Sequence, residues 1–90
     1  MKLVWLESAL EDQDAMLEYI ASRNEAAAGR MLATIEAFVE RLPDHPHMCR
    51  PGRVAGTREA VVHPNYILVY RVTGEAVEIV RLVHSRQQYP

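Results

Sequence analysis

His63 and His84 are the two side chains after residue 50 that can exchange a proton near neutral pH. Arg58, Arg71, Arg81 and Arg86 lie among them in the sequence, and a guanidinium binds phosphate through paired N–H groups. Tyr89 adds a ring that can stack and a hydroxyl that can donate. These types together are sufficient for proton transfer beside a phosphate with cations to hold the developing charge. Each also has a structural role open to it. His63 precedes Pro64 and Asn65 and can be a solvated corner of a turn. Arg58 can pair with Glu78 on a neighbouring strand, and Arg71 and Arg81 can share one sheet face and pair with Glu59. His45, His47 and Cys49 alternate in a proline-rich stretch with no fourth partner nearby, a weak zinc set. No metal or other cofactor is expected.

The elements that must position these groups follow from periodicity. Leu3 to Leu6 is a short apolar run containing Trp5 and reads as a buried strand bounded by Glu7 and Ser8. Ser8 followed by Glu11 has the spacing of a capping box, and Gln13, Met16, Leu17 and Ile20 then mark one face of a helix ending near Ser22. Asn24 is suited to cap a second helix, in which Ala28, Met31, Leu32, Ile35, Phe38, Val39 and Leu42 keep helical spacing until Pro43. So short a break between the two predicts an antiparallel hairpin laid on something flat. Trp5 and Phe38 are expected in the core.

From Pro43 to Gly56 three prolines and two glycines predict a surface loop. Three β-rich runs follow: Thr57 to Val62, Tyr66 to Val72 and Ala76 to Val83. HisProAsn at 63–65 and ThrGlyGlu at 73–75 are short enough for hairpins, so the three runs form an antiparallel meander. The expected fold is α+β, in the order β-α-α-β-β-β, with the helical hairpin on one face of a small twisted, mostly antiparallel sheet. The first strand adds at an edge or inside, the other face stays partly open, and the open face is where function is expected.

Length and composition bound the class. Ninety residues, 49% apolar and 24% charged, make one globular domain spanning residues 1–90. The opening MKLVWLESALED has acidic residues where a secretory signal would be apolar, and no apolar stretch reaches the roughly 18 residues of a membrane helix. One cysteine implies no internal disulfide. A cytoplasmic protein without a membrane partner is expected. The net charge of −2 argues against a chain that simply coats nucleic acid. Its distribution is uneven: residues 1–49 hold four basic against nine acidic residues, a net −5, and residues 50–90 hold six arginines against three glutamates, a net +3.

The ordered set of segments carries a resemblance. The helical hairpin after a short strand, then LPDHPHMCRPGRVAGTREAVV, then YILVYRV, then VEIVRLVHSRQQYP is similar to the RelE/ParE toxin superfamily over essentially the whole chain. The resemblance implies the toxin of a two-gene, plasmid-stabilisation type II toxin–antitoxin module, held inactive in a hetero-oligomer by a cognate antitoxin. It also implies one of two activities, since one fold hosts both. RelE-type members cut messenger RNA on the ribosome, and ParE-type members inhibit DNA gyrase without cutting RNA.

For a nuclease, His84 and Arg86 with Arg58 would carry the chemistry without a metal. Arg58 matches a basic position before the central hairpin, but Tyr66 is followed by Ile67 where RelE-type nucleases place an arginine. Overall acidity also suits the ribosomal decoding site poorly. The sequence therefore points to the ParE-like side, with Arg53, Arg58, Arg71, Arg81 and Tyr89 as binding candidates. A member that has lost toxicity and persists as an antitoxin-binding or DNA-bound partner is a further alternative.

Overall fold

The computed structural model describes residues 1–89. Strand β1 (Lys2–Trp5) leads into helices α1 (Glu7–Ala21) and α2 (Glu25–Arg41). After them come β2 (Arg50–Pro51), β3 (Arg58–His63), β4 (Tyr66–Val72) and β5 (Ala76–His84). The sheet order is β1-β5-β4-β3-β2, with β1 parallel to β5 and every other pair antiparallel. This is the expected helical hairpin on a mostly antiparallel sheet.

The second helix forms for the reasons its sequence offers. The side chain of Asn24 accepts a hydrogen bond from the Ala27 N–H at 3.0 Å, satisfying one of the free donors at the helix start. Ala28, Met31, Ile35, Val39 and Leu42, three or four residues apart, form a buried stripe facing the sheet. There Met31, Ile35, Val39 and Leu42 join Leu68, Tyr70, Val77, Ile79 and Leu82 in one core. Complete burial of side chains such as Ile35, Leu42 and Leu68 contributes on the order of 2 kcal/mol each.

Three expectations need correction. The first strand is an edge strand with alternating exposed and half-buried residues, because only β5 flanks it and only Leu3 and Trp5 reach the core. Ser8 caps nothing: α1 starts at Glu7, Leu6 occupies the cap position without a side-chain bond, and the Ser8 hydroxyl donates instead to the Val80 carbonyl at 2.7 Å. The proline-rich stretch contains β2, whose Arg50 and Pro51 pair with Glu59 and Arg58. Proline is compatible with this outermost strand, where a missing N–H leaves no inner ladder broken.

Helix α1 also solves a problem at β5. Strand β1 pairs with β5 only as far as Ile79, leaving the rest of that edge bare. The chain leaving β1 covers it: the Leu6 N–H donates to the Ile79 carbonyl at 3.0 Å, and Ser8 takes Val80. The Asp12 carboxylate then accepts from the Leu82 N–H at 2.9 Å. A helix thus serves as the strand's neighbour where the sheet has run out, and an open edge is closed.

A groove between the helical hairpin and the sheet end

At the end of the sheet where β3 and β5 finish and β4 begins, Tyr66 lies directly opposite His63 on one side and His84 on the other. Its ring centroid is 5.9 Å from that of His63 and 5.3 Å from that of His84, the latter edge-on. Both histidines are fixed alike. The Asn65 N–H donates to Nδ1 of His63 and the Arg86 N–H to Nδ1 of His84, each at 3.1 Å. A ring nitrogen that accepts has no proton, so each neutral imidazole carries its hydrogen on Nε2. Tyr66 packs on the helix-side core, and its register partners share that face. His84 therefore belongs to the hairpin side, a correction to the open-face position expected for it.

Two adjoining hollows surround this trio. One of about 430 Å³ is lined by Tyr19, Ile20, Ala27, Arg30, Met31, Thr34, His63, Asn65, Tyr66 and His84. The other, of about 360 Å³, shares Tyr19, Tyr66 and His84 and extends past Asp12, Ala15, Met16, Leu82 and Gln87. The aromatic side chains and imidazoles thus line a continuous groove between the turn of the helical hairpin and the sheet end. Sequence reasoning named the histidines but missed Tyr19, Arg30 and Tyr66. A signal existed in the spacing of Tyr19 on the outer side of α1, but its proximity to β4 depends on how the hairpin docks.

The other candidate residues lie elsewhere and are held by partners. Arg58 does not meet Glu78. Its Nη1 donates to the carbonyls of Cys49 at 2.6 Å and His47 at 3.4 Å, pinning the loop before β2. It stands opposite Tyr70, whereas His84 stands opposite Tyr66. Four residues of β4 separate those positions, about 13 Å along the sheet. Arg71 pairs with Glu78 directly across β5, not with Glu59. Arg81 also avoids Glu59: its Nε and Nη2 reach the Asp12 carboxylate at 2.7 and 3.3 Å. That bond raises the Arg81 guanidinium further above its ordinary range. Glu59 is instead taken by Arg50 and Arg53, at 3.5 and 3.7 Å. The Arg53 side chain further donates to the Tyr89 carbonyl at 3.1 Å, and Arg86 is exposed on the segment after β5.

Tyr70 ties the loop to the core. It is fully buried and its hydroxyl donates to the Pro46 carbonyl at 3.0 Å. Burial pushes its phenol well above the usual tyrosine range, so it remains a neutral donor. Tyr70→Phe is expected to cost about 1 kcal/mol, the net worth of one such bond, in urea unfolding, and to speed hydrogen exchange in residues 43–49 more than elsewhere. Unchanged exchange there would show that Arg58 alone holds the loop. Among the described residues, no three His, Cys, Asp or Glu side chains gather closely enough to hold a metal ion. Cys49 packs against the core. No helix among the described residues is long and apolar enough to cross a membrane.

A helical hairpin on a small, mostly antiparallel sheet is the architecture of the RelE/ParE toxins. The fold matches a chain of the chromosomal ParDE toxin–antitoxin system from P. aeruginosa with a TM-score of 0.82 at 25% identity, covering 93% of this chain and 95% of that one. The family model of the ParE toxin of the type II toxin–antitoxin system parDE matches residues 3–89, and the chain belongs to that family. It is 37% identical to the putative toxin Y4kP of Sinorhizobium fredii (strain NBRC 101917 / NGR234) over 99% of this chain and 93% of that protein. It is 34% identical to toxin RelE2 of Caulobacter vibrioides (strain ATCC 19089 / CIP 103742 / CB 15) over 93% of this chain and 94% of that protein.

Proposed function

We propose that this toxin acts in the ParE manner, by binding DNA gyrase, and that a cognate antitoxin neutralises it in a hetero-oligomer. The observation that carries this reading is the engagement of the arginines on β3, β4 and β5 and in the loop before β3, with Arg86 on the exposed segment after β5 standing outside it. RNA cleavage needs cations converging on one phosphate beside an acid and a base. Here Arg58 holds loop carbonyls, Arg71 holds Glu78, Arg81 holds Asp12 and Arg53 holds Glu59. Arg58 is also distant from His84 along the sheet. A binding toxin needs no such convergence. It needs a rigid surface, and internal ion pairs suit that.

One observation favours the RelE manner: His63 and His84 flank Tyr66 in a groove that also holds Arg30. An aromatic face between two Nε2 donors is a place where a base could stack. The names of relatives do not choose, since both ParE and RelE occur among them.

The test is to induce the gene alone in a bacterium, follow growth, and map the 5′ ends of new transcripts. Arrest with intact messages and a DNA-damage response is expected, together with inhibition of supercoiling by purified gyrase. New cleavage sites spaced by codon would overturn the proposal. His84→Ala separates the two readings: the variant is expected to fold and still arrest growth, whereas a nuclease would lose its cleavage. Absence of arrest by the wild type would leave an antitoxin-binding partner without toxicity.

A further inference from the structure

The groove at the sheet end has the character of a small-molecule site. Its larger hollow, about 430 Å³, lies within the range such sites occupy, roughly 300–1,000 Å³. Ile20, Ala27 and Met31 give it an apolar wall on the hairpin, and the sheet contributes the Tyr66 ring between two imidazoles. His63, Tyr66 and His84 are half-buried, sheltered yet still reachable. The polar groups with a fixed role are donors. Nδ1 of each imidazole is occupied by a backbone N–H, so Nε2–H is what each ring has to offer. Arg30 of α2 adds a guanidinium that pairs with no carboxylate among the described residues. The carboxylate and amide acceptors in the adjoining hollow are engaged. Asp12 holds Arg81 and the Leu82 N–H, and Oε1 of Gln87 accepts from the His84 N–H at 3.3 Å. Beyond rotatable hydroxyls, that leaves the exposed Asn65 as the side-chain acceptor still open.

We propose that this groove binds a small planar aromatic acid, its ring against Tyr66 and its carboxylate on Arg30. An aromatic face with a donor on either side selects a flat ligand whose edges accept. A guanidinium without an internal partner selects an anion, and a carboxylate matches its paired N–H groups. A nucleobase or a peptide fits less well. Each brings N–H donors of its own, and the groove has few acceptors left to meet them, so burial would leave donors unpaired. Another apolar hollow sharpens the contrast. It measures about 300 Å³, lies between β1 and the helices, and is lined by Leu3, Trp5, Leu10 and Leu32. Glu36 and Glu40 also line it, and they would repel the same acid. The inference concerns a ligand of the groove and does not rest on the choice between gyrase and ribosome.

The probe is 2-naphthoate, titrated into the whole chain and followed by nuclear magnetic resonance, with uncharged 2-naphthamide and adenosine 5′-monophosphate run beside it. Saturable shifts are expected at Arg30, His63, Tyr66 and His84, while the Trp5 indole N–H stays in place. Arg30→Gln changes an exposed side chain and is expected to keep the wild-type spectrum elsewhere. It should weaken naphthoate binding about tenfold, the effect of losing roughly one hydrogen bond to a charged group. Arg41→Gln removes the same charge from the far end of the same helix and is expected to leave binding unchanged. The amide should bind the wild type about tenfold more weakly than the acid, and that difference should vanish in Arg30→Gln. Four outcomes would each overturn the site: no saturable shift in the groove up to the solubility of the acid, shifts centred on Trp5, equal weakening by Arg30→Gln and Arg41→Gln, or tighter binding of the nucleotide than of the acid.

Discussion

Asp12→Ala is expected to lower the unfolding free energy by about 3 kcal/mol, on the scale of hydrogen bonds to charged groups. For a chain of this length that is between roughly a quarter and three-fifths of a stability of roughly 5–13 kcal/mol. Two losses coincide. The Leu82 N–H loses the acceptor that replaces a missing strand, and Arg81 loses both of its bonds. A neighbouring strand cannot compensate, because β1 has ended at Trp5. Arg81 is one-third exposed and regains water, so the amide carries the larger share of the penalty. Two variants follow from that division. Arg81→Met leaves the Leu82 bond intact and is expected to cost less than Asp12→Ala. Asp12→Asn keeps an acceptor for the amide and is expected to fall between Asp12→Ala and the wild type. Chemical denaturation with hydrogen exchange at Leu82 gives the answer. An Asp12→Ala variant within about 0.5 kcal/mol of wild type, as for an ordinary surface substitution, would mean that α1 does not close this edge.

How much of this was legible before the structure depends on how far apart the partners lie. Asn24 caps α2 with an N–H three residues ahead, and its side chain and position suffice to announce that. The stripe from Ala28 to Leu42 is equally local. Ser8 misled because the pattern of serine and glutamate three apart says nothing of the tertiary acceptor that claims the hydroxyl, here Val80, 72 residues away. The pairing of Arg71 with Glu78 was one residue out of reach: counting outward from a turn at 73–75 puts Arg71 opposite Val77, whereas the Thr73 N–H bonds to the Ala76 carbonyl, Gly74 and Glu75 alone make the turn, and Arg71 stands opposite Glu78. Arg81 was further out of reach, because β5 bulges at Val80 and its partner lies on a helix 69 residues distant. Strand β2 was hidden for the same reason. Two residues make no periodic signal, and what fixes them is the partnership with Glu59 and Arg58. In the groove, the two histidines announced themselves by chemistry, whereas Tyr19 and Tyr66 became part of a site only through the docking of the hairpin.

Glu59 supplies the other large effect, and its sign is expected to reverse with context. It is the one buried charged residue among those described, 3% exposed, and it sits between two guanidiniums that are themselves half in water. Its Oε2 also accepts the Arg53 N–H at 2.8 Å. A buried carboxylate deprived of its cations retains its desolvation cost, so Arg50→Ala with Arg53→Ala is expected to lose about 3 kcal/mol, the lower end for breaking a buried pair from one side. Glu59→Gln in the otherwise native chain also destabilises, since it discharges the group that the arginines are placed to meet. In the double-alanine background the same Glu59→Gln should stabilise, because it removes a charge that nothing balances. Urea unfolding of the four proteins closes the cycle. If Glu59→Gln destabilises equally in both backgrounds, Glu59 is held by the backbone N–H and water, and Arg50 and Arg53 are free to serve a partner. The predicted reversal would instead make Glu59 the fixed point from which Arg53 reaches across to the Tyr89 carbonyl, so that the β2 edge and the seat of Tyr89 share one carboxylate.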